Sequence, residues 1–175
     1  YQGVRLSLDA YLDKTRIPLK IDISTGDVIT PCEISFSYQL MFENRTIPLL
    51  AYPPETVLAE KLETILSRGE ANTRLRDFYD VYILQREDFV VTPDALRYAL
   101  LATCRTRGHE DLLHTYASIL DGVRQSSAMR TQWMKYQTDF DYAAGITWDT
   151  VLDTVETLCM KTLDDHAFGD ELPQE

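Results

Sequence analysis

The stretch from residue 52 to residue 84, YPPETVLAEKLETILSRGEANTRLRDFYDVYIL, constrains the fold of this chain more than any other. A proline pair at its start suits a first helical turn, where backbone N–H groups need no partner, and Gly69 suits a helix end. Apolar residues recur at helical spacing on both sides of this glycine. The sequence therefore predicts two consecutive helices joined by a short turn.

Charged residues occupy regular positions on these two predicted helices. Lys61 and Arg68 are two helical turns apart, so they lie on one side of the first helix. Asp77 and Asp80 share a face of the second helix, and Arg76 precedes them. Two interpretations are open at this point: a functional site, or a surface salt-bridge network of the kind that many helices carry.

The composition is that of a folded protein, with 45% hydrophobic and 26% charged residues. The net charge of −11 argues against binding nucleic acid through the whole surface. A local basic pocket formed by Lys61, Arg68, Arg74 and Arg76 is compatible with this charge, because a cleft focuses the field of nearby groups.

Three widely spaced cysteines without a C-x-x-C pair indicate reduced, buried thiols and give no sign of a zinc site. The sequence contains no apolar run long enough to span a bilayer and no signal peptide. We therefore expect a cytoplasmic protein that does not contact membranes.

The first 52 residues predict β-structure. Residues 3–11 and 17–24 alternate apolar and polar side chains around a polar turn, which predicts an antiparallel hairpin of half-buried strands. Residues 33–38 and 46–51 predict two more strands, the last at an edge because it contains Pro48. These strands are expected to form one small antiparallel or mixed sheet.

The remaining sequence predicts four more helices, at about 92–107, 110–120, 127–143 and 147–163. The third of them carries an apolar stripe that is expected to be core: Met129, Trp133, Tyr136 and Phe140. The predicted fold class is α+β, a small N-terminal sheet followed by a helical bundle. The predicted division is a β-rich part at 1–52, a helical domain at 53–163 and an acidic tail at 164–175.

The central stretch resembles the AbiEii/AbiGii abortive-infection toxin family, nucleotidyltransferase-like proteins of bacterial toxin–antitoxin systems. The similarity covers Y-P-P-E, A-E-K-L, R-G and N-T-R-x-R-D-F-Y-D in this order. The resemblance implies that the sheet is the remnant of a polymerase-beta-like nucleotidyltransferase fold and that the helices form the C-terminal lobe.

The resemblance also implies roles for the charged residues. Lys61 and Arg68 match the family's lysine motif, and Arg76, Asp77 and Asp80 match its R-D-x-Y-D motif. It implies that Lys61, Arg68 and Arg76 bind the nucleotide. Lys61, Asp77 and Asp80 would be catalytic, with Asp77 favoured as the group that orients or deprotonates the acceptor hydroxyl.

A metal ligand is implied in the second strand. Lys20 and Asp22 match the family's K-x-D strand motif, so Asp22 is implied to bind Mg²⁺. The family's first motif, a Gly-Ser turn followed by two acids in D-x-D spacing, is not found in this sequence. The resemblance places that motif upstream of Tyr1, so we expect a C-terminal part of a longer enzyme that is inactive alone.

The predicted function is transfer of a nucleotidyl group from an NTP, with Mg²⁺, to an acceptor such as the 3′ end of an RNA, for example a tRNA. A cognate antitoxin is a further expected partner. The alternative is a non-catalytic module that binds a nucleotide or an antitoxin, with the charged residues forming a structural network.

Overall fold

The structure is a computed structural model that describes residues 2–86 and 91–164 of the 175-residue chain. Within these residues four β-strands come first and six α-helices follow, which confirms the predicted α+β class. The acidic tail predicted for 164–175 lies outside the described residues apart from Asp164.

The first two strands form the predicted antiparallel hairpin. Strand β1 (Gln2–Leu12) pairs with β2 (Thr15–Thr25), and Leu6 faces Ile21 across the ladder. Every side chain of β2 is exposed, and Leu6 retains 44% of its accessible surface. The prediction of half-buried strands is therefore wrong, because alternation provides an apolar face but burial requires a second layer on it.

The next two strands form a separate ribbon. Strand β3 (Ile34–Gln39) pairs in antiparallel fashion with β4 (Thr46–Ala51), and Pro48 lies opposite Ser37. The described strands thus make two two-stranded sheets where the sequence predicted one. A strand in a two-stranded ribbon always has a free edge, which accommodates the missing N–H of Pro48.

The helices follow the predicted order. Two helices differ from their predicted bounds. The fourth helix is longer than the predicted 110–120, and the fifth ends before a short 3₁₀ turn at Asp141–Ala143. Phe140 stops the fifth helix with an extended backbone. The six helices are α1 (Pro54–Arg68), α2 (Leu75–Leu84), α3 (Pro93–Arg107), α4 (Leu112–Gln125), α5 (Ser127–Asp139) and α6 (Trp148–Leu163).

The apolar core lies among the helices. Leu62 of α1, Phe78 of α2 and Leu100 of α3 are fully buried, and α1 contacts α2, α3 and α4. Burial of each such side chain stabilises the fold by roughly 1.5–3 kcal/mol relative to exposure. The predicted stripe on α5 divides: Trp133 is in the core, whereas Phe140 is 42% exposed, so its assignment to the core is wrong.

None of the helices among residues 2–86 and 91–164 combines the length and the apolar character needed to cross a bilayer.

Candidate functional site

Lys61 of α1 lies between two carboxylates of α2. Its Nζ atom is 2.6 Å from Asp80 Oδ2 and 3.4 Å from Asp77 Oδ1. The two aspartates are three residues apart and therefore share one face of α2, and the packing of α1 against α2 brings that face to Lys61. The structure thus places the three predicted catalytic residues together.

Asp77 is the most buried member of this group, with 2% of its surface exposed. Arg74 Nη2 donates a hydrogen bond to Asp77 Oδ1 at 3.2 Å, and Arg74 Nε approaches Oδ2 to 2.8 Å. This second approach is an ion pair without hydrogen-bond geometry, so Oδ2 accepts no hydrogen bond from any described residue. A buried carboxylate is tolerated when cations compensate it, and Lys61 and Arg74 do so here.

Arg76 takes a peripheral position. Its Nε atom is 3.8 Å from Asp80 Oδ2, and its side chain is 77% exposed. An exposed i,i+4 pair of this kind contributes little to stability. Arg76 is therefore free to turn towards a ligand at low cost.

A large cleft of about 1170 Å³ opens where the end of β2 meets α1, α2 and α3. Lys61, Arg68, Arg74 and Asp77 line one side of it. Arg68 is exposed and forms no ion pair with any residue that the structure describes. Its guanidinium can therefore offer its full fork of donors to an anion.

A second charged cluster also lines the large cleft. Glu63 is 2% exposed, and its Oε1 lies 2.6 Å from His109 Nδ1 while its Oε2 accepts a hydrogen bond from Arg107. Arg107 also lies 3.7 Å from carboxylate oxygens of Asp27 and Glu60. Burial raises the pKa of the Glu60 carboxyl, and the nearby charge of Asp27 raises it further.

His109 lines the large cleft, a placement that only the structure reveals. Its partner Glu63 is 46 residues away in the sequence, and no spacing motif connects the two. Only the packing of α1 against α3 reveals this pair.

A small cleft of about 720 Å³ lies on the other side of Lys61, between α2 and α5. It shares Lys61, Arg74 and Asp77 with the large cleft, so these three side chains separate the two cavities. The other charged and aromatic residues that line the small cleft are Arg76, Asp80, Lys135, Tyr136, Asp139 and Phe140.

Asp22 lies apart from both clefts. It is exposed on β2 and pairs with Arg5 across the hairpin, with Arg5 Nη2 donating to Asp22 Oδ2 at 2.9 Å. The hydrogen bond from Arg5 holds the pKa of the Asp22 carboxyl below its ordinary value. Among the described residues, no group of three or more His, Cys, Asp or Glu side chains is placed to hold a metal ion.

The fold and the clefts define an α+β protein whose cationic and acidic side chains converge where two cavities share a wall. Residues 1–154 match the protein family described as nucleotidyl transferase AbiEii toxin, Type IV TA (toxin–antitoxin) system. The chain belongs to this AbiEii family and has the nucleotidyltransferase-like role of a type IV toxin–antitoxin system. Comparison with curated proteins and with solved structures finds no significant match.

Proposed function

We propose that the protein acts as part of a nucleotidyltransferase that transfers a nucleotidyl group from an NTP to an acceptor such as the 3′ end of an RNA. The observation that carries this proposal is the contact of Lys61 with Asp77 and Asp80. Lys61 and Asp77 line the large cleft, which Arg68 also lines. This arrangement supports the proposal, because two cations lie near a carboxylate and could bind phosphate while the carboxylate acts on a hydroxyl group.

The large cleft supplies the binding site for the triphosphate. Arg68 would bind phosphate oxygens through its planar fork, and Lys61 would act as a compact point charge. The volume of about 1170 Å³ is slightly above the usual range of about 300–1,000 Å³ for small-molecule sites and is sufficient for a nucleoside triphosphate. Arg76 lines the small cleft and not the large one, so its predicted contact with the NTP stays a prediction.

The transfer step uses Asp77. The oxygen of the acceptor hydroxyl forms a bond to the α-phosphorus of the NTP, the bond from this phosphorus to the α,β-bridging oxygen breaks, and pyrophosphate leaves. Asp77 Oδ2 is buried, with Arg74 Nε 2.8 Å away, so the step requires the exposed Arg74 side chain to move aside. The Asp77 carboxylate then orients the hydroxyl and receives its proton. Lys61 offsets negative charge that develops on the phosphoryl oxygens, and Asp80 holds Lys61 in place.

In this proposal Mg²⁺ would be bound to the phosphates of the NTP, as is usual for nucleoside triphosphates. Asp22 contributes one exposed carboxylate, already paired with Arg5, and the described residues do not gather a ligand shell around it. A role for Asp22 as a metal ligand stays a prediction.

The test of this proposal is transfer from α-³²P-labelled NTPs to total RNA by the natural protein and its variants. We expect Asp77→Asn and Lys61→Ala to reduce the transfer rate by at least about 100-fold, and Arg68→Ala to weaken NTP binding by about tenfold. Arg105→Ala, which removes an exposed arginine that lines neither cleft, is the control and should leave both unchanged. Transfer that survives in both Asp77→Asn and Lys61→Ala would refute the proposal.

A second candidate is a non-catalytic module that binds a nucleotide or the cognate antitoxin. Lys61 is already compensated by two carboxylates, an arrangement that a purely structural network would also produce. The same assay separates the two functions, because such a module would bind labelled NTP without transferring any part of it.

A further inference from the structure

The small cleft contains more basic than acidic side chains. Four basic and three acidic residues line it, in a chain whose net charge is −11. Lys61 and Arg74 engage the carboxylates of Asp77 and Asp80. The remaining cations, Arg76 and Lys135, are exposed, and Lys135 forms no ion pair with the residues that the structure describes.

Aromatic rings stand beside these cations. The ring of Phe140 lies 4.7 Å from that of Tyr136 and 5.3 Å from that of Tyr142, measured between centroids. Phe140 is 42% and Tyr142 is 49% exposed, although apolar rings of this size are normally buried. Both Tyr136 and Phe140 line the small cleft.

The rings are held in position by the surrounding structure. The hydroxyl groups of Tyr136 and Tyr142 lie 2.9 Å apart at hydrogen-bonding distance, and the ring of Tyr142 packs at 4.7 Å from that of Tyr79 on α2. The rings therefore keep their places before any ligand arrives, which lowers the entropic cost of binding on them.

Rigid aromatic rings next to exposed cations are what a single-stranded nucleic acid requires. Its bases stack on aromatic side chains, and its phosphates pair with lysine and arginine. A protein partner would also bury exposed rings, but it would not by itself need Arg76 and Lys135 at the same edge.

The position of the small cleft relates it to the proposed reaction. A transfer reaction needs separate places for donor and acceptor that meet at the reacting atoms. The two clefts meet at Lys61, Arg74 and Asp77, the side chains that line both. An acceptor in the small cleft would therefore present its end to Asp77, opposite a triphosphate in the large cleft.

We infer that the small cleft binds the end of a single-stranded polynucleotide, with bases stacked on Phe140 and Tyr136 and backbone phosphates on Lys135 and Arg76. This inference rests on the proposed function only in assigning the bound end of the polynucleotide as the acceptor that reacts with the NTP. The binding surface itself depends only on residues of α2, α5 and the segment that follows α5.

The experiment is a fluorescence anisotropy titration of the natural protein with fluorescein-labelled ten-nucleotide RNA and DNA of the same sequence. We expect Lys135→Gln and Phe140→Leu each to weaken binding by about tenfold. Lys135→Gln should also reduce the slope of log K against log salt concentration by about 0.7, the value for one phosphate contact on a single strand. Stronger binding of RNA than of DNA would identify the acceptor as RNA. Equal binding would show that the small cleft binds both kinds of single strand.

The controls are a lysine and an aromatic residue outside the small cleft. Lys161→Gln on α6 and Tyr98→Leu on α3 remove exposed side chains of the same types and should leave the affinity unchanged. Circular dichroism melting verifies that each variant is folded. Unchanged affinity in both Lys135→Gln and Phe140→Leu would overturn the inference, as would a natural protein that binds neither oligonucleotide at low salt.

Binding of labelled NTP by the same proteins separates this inference from the proposed function. Retained NTP binding in Lys135→Gln and Phe140→Leu, together with weaker oligonucleotide binding, supports a separate acceptor site. A natural protein that binds oligonucleotides through these residues but binds no NTP would refute the proposed function and leave the polynucleotide site standing.

Discussion

At the scale of single residues, the charge of Asp77 is the feature on which the site depends. The carboxylate is almost fully buried, and its compensation comes from two cations, Lys61 on another helix and Arg74 one turn away. If one of these cations is removed, the repulsion between the carboxylates of Asp77 and Asp80 is less compensated, and little solvent is present to weaken it. The site is therefore coupled to stability as well as to function.

We predict that Lys61→Met lowers the free energy of unfolding by about 2 kcal/mol, because an uncompensated buried carboxylate costs more than the lost pair contributed. Urea denaturation at neutral pH measures the change. Lys135→Met, at an exposed lysine without an ionic partner among the described residues, should change stability by less than about 0.5 kcal/mol.

The additional replacement Asp80→Asn in the Lys61→Met background should restore part of the loss, since it removes one of the two like charges. If Lys61→Met has the stability of the unmodified protein, the ion pairs contribute nothing measurable and the electrostatic account of this site is wrong.

At the scale of elements, the junction between α1 and α2 positions the charged groups. Gly69 ends α1 with φ of 49° and ψ of −132°, a combination that residues with a side chain rarely adopt. A short 3₁₀ turn, Gly69–Ala71, then leads into α2. This turn determines the direction in which α2 leaves α1 and hence the approach of Asp77 to Lys61.

We predict that Gly69→Ala lowers the free energy of unfolding by about 2 kcal/mol through backbone strain. A Cβ atom there would meet Ile119 Cγ2 at 3.5 Å, an ordinary contact, so crowding does not explain the loss. Gly108→Ala is the matched comparison: its φ of 70° and ψ of 31° are the left-handed helical values, and the cost should be nearer 1 kcal/mol.

Thermal or urea unfolding of the two variants measures this difference. Equal losses in Gly69→Ala and Gly108→Ala would show that the unusual ψ of Gly69 carries no special cost. That result would contradict the conclusion that the turn at Gly69–Ala71 determines the position of α2.

At the scale of the whole molecule, the helices hold almost all of the buried apolar surface, and the two ribbons hold almost none. The hydrogen bonds and ion pairs that join the described N-terminal part to the helices are few. Thr30 and Thr56 exchange two hydrogen bonds, and Asp27 lies 3.7 Å from Arg107. We therefore propose that the predicted division at residues 52 and 53 separates two folding units.

We predict that residues 53–164 fold without the ribbons and unfold cooperatively, because the core is complete in the helices. The loss of the two threonine hydrogen bonds should cost about 2 kcal/mol. Circular dichroism at 222 nm during urea titration measures both properties.

A chain of residues 26–164 is the control, since it retains Thr30 and Asp27 and should be the more stable of the two. Gradual, non-cooperative unfolding of residues 53–164 would show that the ribbons are needed for the helical core.

Much of this architecture was accessible from the sequence because it depends on local interactions. The prolines before α1 and α3, the cap at Thr92 and the left-handed Gly108 mark helix ends through contacts a few residues apart. For the same reason, the alternation of apolar and polar residues predicted which side chains share a face of the β1–β2 hairpin. Helical spacing placed Asp77 and Asp80 on one face of α2, and the resemblance to the AbiEii family selected them together with Lys61.

The amino-acid sequence by itself determined the order and type of the elements, since hydrogen bonds of helices and hairpins form between near neighbours in the chain. The tertiary structure alone decided which distant side chains meet, such as Glu63 with His109 or Lys61 with Asp80, 19 residues away. It also decided which apolar faces are covered: Trp133 is buried and Leu6 is exposed, although both lie in apolar patterns. Burial depends on what packs against a face, and no local pattern encodes that partner.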